Sequence, residues 1–172
     1  SKFAYNGYTY SNININGSYA DNTVKGSLII DDPNISLVAQ GEYADLGKGK
    51  QLVVEAQLDH FRPSVTRLTD KWGDAVFSSS ITADLQASGV NDSKGVVTIG
   101  HFRMQSSSDT CSINNLQVRG GFDSHEHYLV MESDFGYAML TGHFNYSSLV
   151  SSVTSQIGRH IPVIAPKNKD YE

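Results

Sequence analysis

The chain has 172 residues, of which 39% are hydrophobic and 18% charged, an ordinary globular composition with enough material for one domain and one sizeable core. Its 13 Lys and Arg face 18 Asp and Glu, a formal net charge of -5 spread without any basic cluster, which argues against a nucleic-acid partner. The single cysteine, Cys111, cannot form an intramolecular disulfide, and no run approaches the roughly 18 consecutive apolar residues of a membrane-spanning helix.

The first residues, Ser1 to Tyr5, have neither a basic start nor a long apolar run, and Phe3 and Tyr5 already read as strand, as in a piece cut from a longer protein. From there the signal is alternation with period two, which puts every second side chain on one face of a strand. It runs through Ile13, Ile15 and Tyr19, then Val24, Leu28 and Ile30, then Ile35, Leu37, Ala39 and Tyr43, then Leu52, Val54, Ala56 and Leu58. The residues between are mostly Asn, Ser, Lys, Gln and Glu.

Pro63 to Trp72 interrupts the pattern and reads as a short helix or an irregular crossover between two groups of strands, 3–62 and 74–146. Alternation then resumes with Phe77, Ile81, Ala83, Leu85 and Ala87, with Val97 and Ile99, and with Leu116, Val118 and Phe122. Cys111 and Ile113 are out of step with Leu116, which predicts a β-bulge near Asn114 and Asn115. Leu129, Met131 and Phe135 form one further strand, and Ala138, Leu140, Phe144 and Tyr146 another.

Turn residues punctuate these runs at Asp21-Asn22, Asp31-Asp32-Pro33-Asn34, Gly47-Lys48-Gly49, Asn91-Asp92, Ser106 to Asp109 and Asp123-Ser124. Connections this short join antiparallel neighbours, since parallel pairs need crossovers of about a dozen residues or more. The expectation is an all-β antiparallel meander of long strands in one extended, curled sheet. Over 147–159, Leu149, Val150, Val153 and Ile157 share a helical face that ends at Gly158, which predicts one short helix before a tail over 160–172 whose last six residues, Lys167 to Glu172, are polar apart from Tyr171.

Candidate chemistry is sparse. His125 and His127 share a strand face and could both reach a metal, but none of His60, His101, His143 or His160 has a spacing that makes it the third ligand, so no metal site is expected. The carboxylate pairs Asp31-Asp32 and Glu132 with Asp134 are read as a tight turn and as solvated residues on the polar parity, not as an acid and a base. Cys111 has no neighbouring His. The reading is therefore non-enzymatic, with no catalytic residues and no cofactor. What remains is an apolar face, which must be sealed by a second layer, rolled into a barrel, or left open to a ligand.

The order of Ile81-Thr-Ala-Asp-Leu-Gln-Ala-Ser-Gly, Gly95-Val-Val-Thr-Ile, Ile113-Asn-Asn-Leu-Gln-Val and Leu129-Val-Met-Glu-Ser-Asp-Phe-Gly-Tyr-Ala-Met-Leu-Thr-Gly resembles the TamB family, the translocation and assembly module group within the AsmA-like superfamily. Tyr8-Thr-Tyr-Ser-Asn-Ile-Asn-Ile-Asn-Gly and Asp31-Asp-Pro-Asn-Ile-Ser-Leu are similar to its Bacteroides-type members. The resemblance implies a curved β-trough, or β-taco, with an apolar interior, in a periplasmic protein anchored in the inner membrane. It also implies movement of phospholipid or another acyl-chain lipid towards the outer membrane, or assembly with an outer-membrane β-barrel protein. The lipid-facing groove would be lined by Ile13, Ile15, Leu28, Ile30, Ile35 and Leu37, then by Leu52, Val54, Leu58, Ile81 and Leu85. Val97, Ile99, Leu116, Val118, Leu129, Met131 and Leu140 would continue it. The competing expectation is a secreted β-sandwich that binds protein or glycan and in which the same residues form sealed core.

Overall fold

A computed structural model describes residues 1–88, 92–123 and 126–144. The short strands β1 (Phe3–Tyr5) and β2 (Tyr8–Tyr10) form a separate two-stranded hairpin. Nine strands follow: β3 (Ile13–Ala20), β4 (Thr23–Asp32), β5 (Ile35–Asp45), β6 (Lys50–Phe61), β7 (Val76–Ala87), β8 (Ser93–Gln105), β9 (Thr110–Asp123), β10 (Glu126–Ser133) and β11 (Gly136–Gly142). They pair antiparallel in strict chain order from β3 to β11 and form one large sheet. Among the described residues its two outer strands do not meet, so the sheet is not closed.

Turn chemistry explains the meander. Asp21 and Asn22 both take left-handed φ values, 48° and 59°, and join the paired residues Ala20 and Thr23, the mirror-image geometry that matches strand twist in two-residue hairpins. Asp45 accepts the Gly47 amide across the next turn, and Ser106 closes the turn before β9 with its amide to the Asp109 carbonyl at 2.8 Å. The two strand groups expected from the sequence lie in the same sheet, joined edge to edge by β6 and β7.

Several features differ from the sequence reading, among them Phe135, which lies in the β10–β11 turn and not in a strand. Phe3 and Tyr5 are strand, but in the separate hairpin, because the positive φ values of Asn6 and Gly7 turn the chain back on itself before β3 begins. The register of β8 with β9 runs from Gly100 opposite Asn115 to Phe102 opposite Ile113 without a shift. The irregularity lies instead in β8, where His101 has φ 51° and the β7–β8 register slips between Ser78 and Ser80. Finally, no sizeable core forms among the described residues: the buried apolar ones are Tyr10, Ala44, Ala75 and Met104, with Pro63 in the crossover. Among the described residues most of this single layer of sheet has no second layer against it to exclude water.

Residues 62–75 form the irregular crossover, not a helix. The Thr66 amide reaches the Arg62 carbonyl at 3.0 Å and the Leu68 amide the Pro63 carbonyl at 2.9 Å, while Arg67 takes φ 58° and breaks any helical continuation. The short helix expected over 147–159 and the tail over 160–172 lie outside the described residues.

Gly95 is a sheet glycine that backbone geometry and a close neighbour both demand. Its φ of 156° and the position of the Asp84 carbonyl oxygen, into which a Cβ would run, leave room for no side chain. Gly95→Ala is expected to cost about 2 kcal/mol, read as a lowered midpoint in urea unfolding.

Candidate functional site

Cross-strand register turns the alternating residues into continuous transverse rows on one face. One row crosses all nine strands as Tyr19, Val24, Tyr43, Leu52, Leu85, Gly95, Gly120, Leu129 and Leu140. The neighbouring row runs from Gly17, Gly26 and Gly41 through Val54, Ala83, Val97, Val118 and Met131 to Ala138. A third joins Ile15, Leu28, Ala39, Ala56, Ile81, Ile99 and Leu116, and a fourth joins Ile13, Ile30, Leu37 and Leu58. Ile35 pairs with Phe61 beyond the register shift of β5 and β6. The residues expected to line the groove are thus brought onto one surface, whereas Cys111 and Ile113, with no bulge between them and Leu116, fall on the other parity.

None of those expected lining residues is buried. Ile15 keeps 73% of its surface exposed, and Leu52, Ile81, Leu85 and Leu140 are also exposed, while the others are half-buried. Neighbours along a row cover each other's flanks, and the top of each side chain stays open. Ile15, Val24, Leu28, Ala39, Tyr43, Leu52 and Val54 surround a shallow recess of about 410 Å³ whose floor is the backbone of Gly26 and Gly41.

The opposite face carries polar pairs: Lys25 with Glu42 at 2.9 Å, Gln40 with Glu55 at 2.7 Å, Gln51 with Asp84 at 3.1 Å and Arg119 with Glu132 at 3.3 Å. It is less uniformly polar than the alternation suggests, since Ile29, Val38, Tyr137 and Met139 are exposed there.

One end of the apolar face is closed by the β1–β2 hairpin and the 62–75 crossover, which hold each other through Tyr10 Oη donating to the Thr66 carbonyl and Asn6 Nδ2 donating to that of Arg67. Pro63 and Thr66 are the largest fully buried side chains. The cap is anchored by Asp32, 3% exposed, which accepts bonds from Tyr8 Oη, the Ser11 amide at 2.9 Å, Ser11 Oγ at 2.7 Å and the Asn34 amide at 3.0 Å. Burial alone pushes this carboxyl up, but the bonds from Tyr8, Asn34 and Ser11 outweigh it and hold the group at about 2 instead of 3.8. Sequence reasoning took Asp31-Asp32 as turn residues and missed this cluster. The signal was there: Asp32 continues the parity of Leu28 and Ile30, so a carboxylate was bound to fall on the apolar face and need donors.

The other candidate groups stay apart. Asp134 is exposed and accepts the Asn114 amide at 3.1 Å, a bond that holds its carboxyl below the ordinary range. His127 lies edge-on to Phe122, with ring centroids 5.0 Å apart, and His125 lies outside the described residues. Among the described residues no three His, Cys, Asp or Glu side chains gather as a metal site. Cys111 is half-buried opposite Met104.

Comparison with family models, with curated proteins and with solved structures finds no match.

Because Asp32 has a folded pKa below its unfolded one, its contribution is complete above about pH 4 and fades as pH falls towards 2. Hydrogen exchange of the β2 amides is expected to be flat above pH 4 after correction for intrinsic rates and to lose protection below it. Asp32→Ala should remove that pH dependence and cost about 2–3 kcal/mol, since it strands several buried donors.

Proposed function

We propose that this chain is a non-enzymatic, lipid-handling segment of a TamB-like periplasmic protein, whose apolar sheet face forms a curved, taco-like groove that carries acyl chains towards the outer membrane. The observation that carries the reading is the face left uncovered among the described residues: two rows of apolar side chains and glycines cross all nine strands, and none of the expected lining residues is buried. Exposed apolar surface of this extent is rare in a soluble monomer and marks a surface that meets something apolar. The alternative, a sealed sandwich, needs a second sheet across this face, and the described residues place only the small β1–β2 hairpin and the 62–75 crossover near one end of it.

The energetics suit conduction. Each CH₂ removed from water gains about 0.8 kcal/mol wherever it lies on a uniform apolar floor, so a chain can slide without leaving a deep well. Nine strands at about 4.8 Å spacing span roughly 38 Å, more than the roughly 15 Å of one bilayer leaflet's hydrocarbon, so a whole lipid fits crosswise to the strands. The open edge of β3 or β11 would take a strand of an outer-membrane β-barrel protein by β-augmentation.

Protein purified without detergent is expected to carry extractable phospholipid and to accelerate lipid transfer between vesicles. The absence of both bound lipid and accelerated transfer would overturn the reading. Ile15→Asp and Leu85→Asp should leave the thermal midpoint within a few degrees, because the new charge meets water, while reducing bound lipid several-fold. Unfolding of both variants would instead mean a covered face, where an unpaired charge costs several kcal/mol.

A further inference from the structure

At the end of the sheet away from the cap, the β5–β6 turn, the first residues of β6, the last of β7 and the start of β8 surround a recess of about 450 Å³. Three of the chain's cations line it, Lys48, Lys50 and Lys94, all exposed, together with Leu46 and Phe122, which keep 63% and 52% of their surface open. The ion pairs among the described residues join Lys25 to Glu42 and Arg119 to Glu132, and neither includes a lysine of this recess. Asp92 also lines it, and Asp45 stands opposite Lys50 with one carboxylate oxygen bonded to the Gly47 amide, so the recess keeps a positive balance.

We propose that this recess binds the phosphate headgroup of an anionic phospholipid whose acyl chains lie on the adjoining apolar rows, an assignment that rests on the lipid-handling reading. Lys50 has the parity of Leu52 and Val54, so its ammonium ends the apolar face, whereas Lys94, opposite Gln86, approaches from the other parity. A phosphate between them accepts from mobile ammonium donors, while Leu46 and Phe122 receive the first methylenes. Elsewhere a chain with a formal charge of -5 repels anions, which favours this end. The opposite end is closed by the cap. A bound lipid is therefore oriented, headgroup at the β5–β6 turn and tails running across the face.

The test uses the full chain, loaded without detergent from vesicles of pure phosphatidylcholine or of phosphatidylglycerol, with bound lipid measured by native mass spectrometry. Wild type is expected to prefer phosphatidylglycerol about tenfold. The K48Q/K50Q/K94Q variant should lose that preference yet keep phosphatidylcholine binding, and K48R/K50R/K94R should retain it. Lys25→Gln, on the other face, should change nothing. A preference that survives the triple Gln variant would overturn the headgroup site while leaving the apolar groove standing. Saturation of the recess by inorganic phosphate at micromolar concentration, with no discrimination between the two lipids, would overturn it as a free-anion site. Absence of both lipids from wild type would remove the underlying lipid reading and this proposal with it.

Discussion

The whole molecule depends on one constraint, the register of a single-layer antiparallel sheet. Side chains alternate with period two, and residues paired across strands share a face, so once one hairpin is in register every later strand inherits the same division into two faces. Nine strands laid down in chain order carry that division from Ile13 to Leu140. A one-residue slip anywhere would turn half of the apolar rows over. The shifts that do occur, at Ser36/Leu37, between Leu58 and Phe61 and between Ser78 and Ser80, all fall towards the capped end.

A layer with no second layer must hold itself together sideways. Ladder hydrogen bonds and cross-strand contacts between row neighbours supply that cohesion, which is why most apolar side chains here are half-buried and few are buried. The polar face adds paired charges and amides across neighbouring strands, each exposed and each worth little alone. Three-dimensional packing concentrates at the cap, where Pro63 and Thr66 are fully buried, Tyr10 bonds the Thr66 carbonyl and the Asp32 carboxylate accepts four hydrogen bonds. That cluster gives the sheet two unlike ends, one closed and one lined by lysines.

The unlike ends give the open face a direction. A uniform apolar surface binds chains with no preferred orientation, whereas a surface closed at one end and cationic at the other distinguishes the head of an amphiphile from its tail. Asp32 is buried and held by neutral donors, so its charge is confined to the cap and does not offset the lysines at the far end.

The alternation of Ile, Leu and Val with Asn, Ser and Gln by itself determined the antiparallel meander, the turns at Asp21-Asn22 and Gly47-Lys48-Gly49, and the common face of residues as distant as Ile15 and Leu129. Parity is local, and each strand carries it independently. Sequence could not decide whether that face is covered, because coverage depends on what lies across it in space, and only the tertiary structure shows, among the described residues, one open layer with Ile15 and Leu85 exposed. The detachment of β1 and β2 as a cap, the four-donor cluster around Asp32 and the gathering of Lys48, Lys50 and Lys94 likewise join residues far apart in the chain. Such contacts are set by where strands begin and end, and no local pattern encodes them.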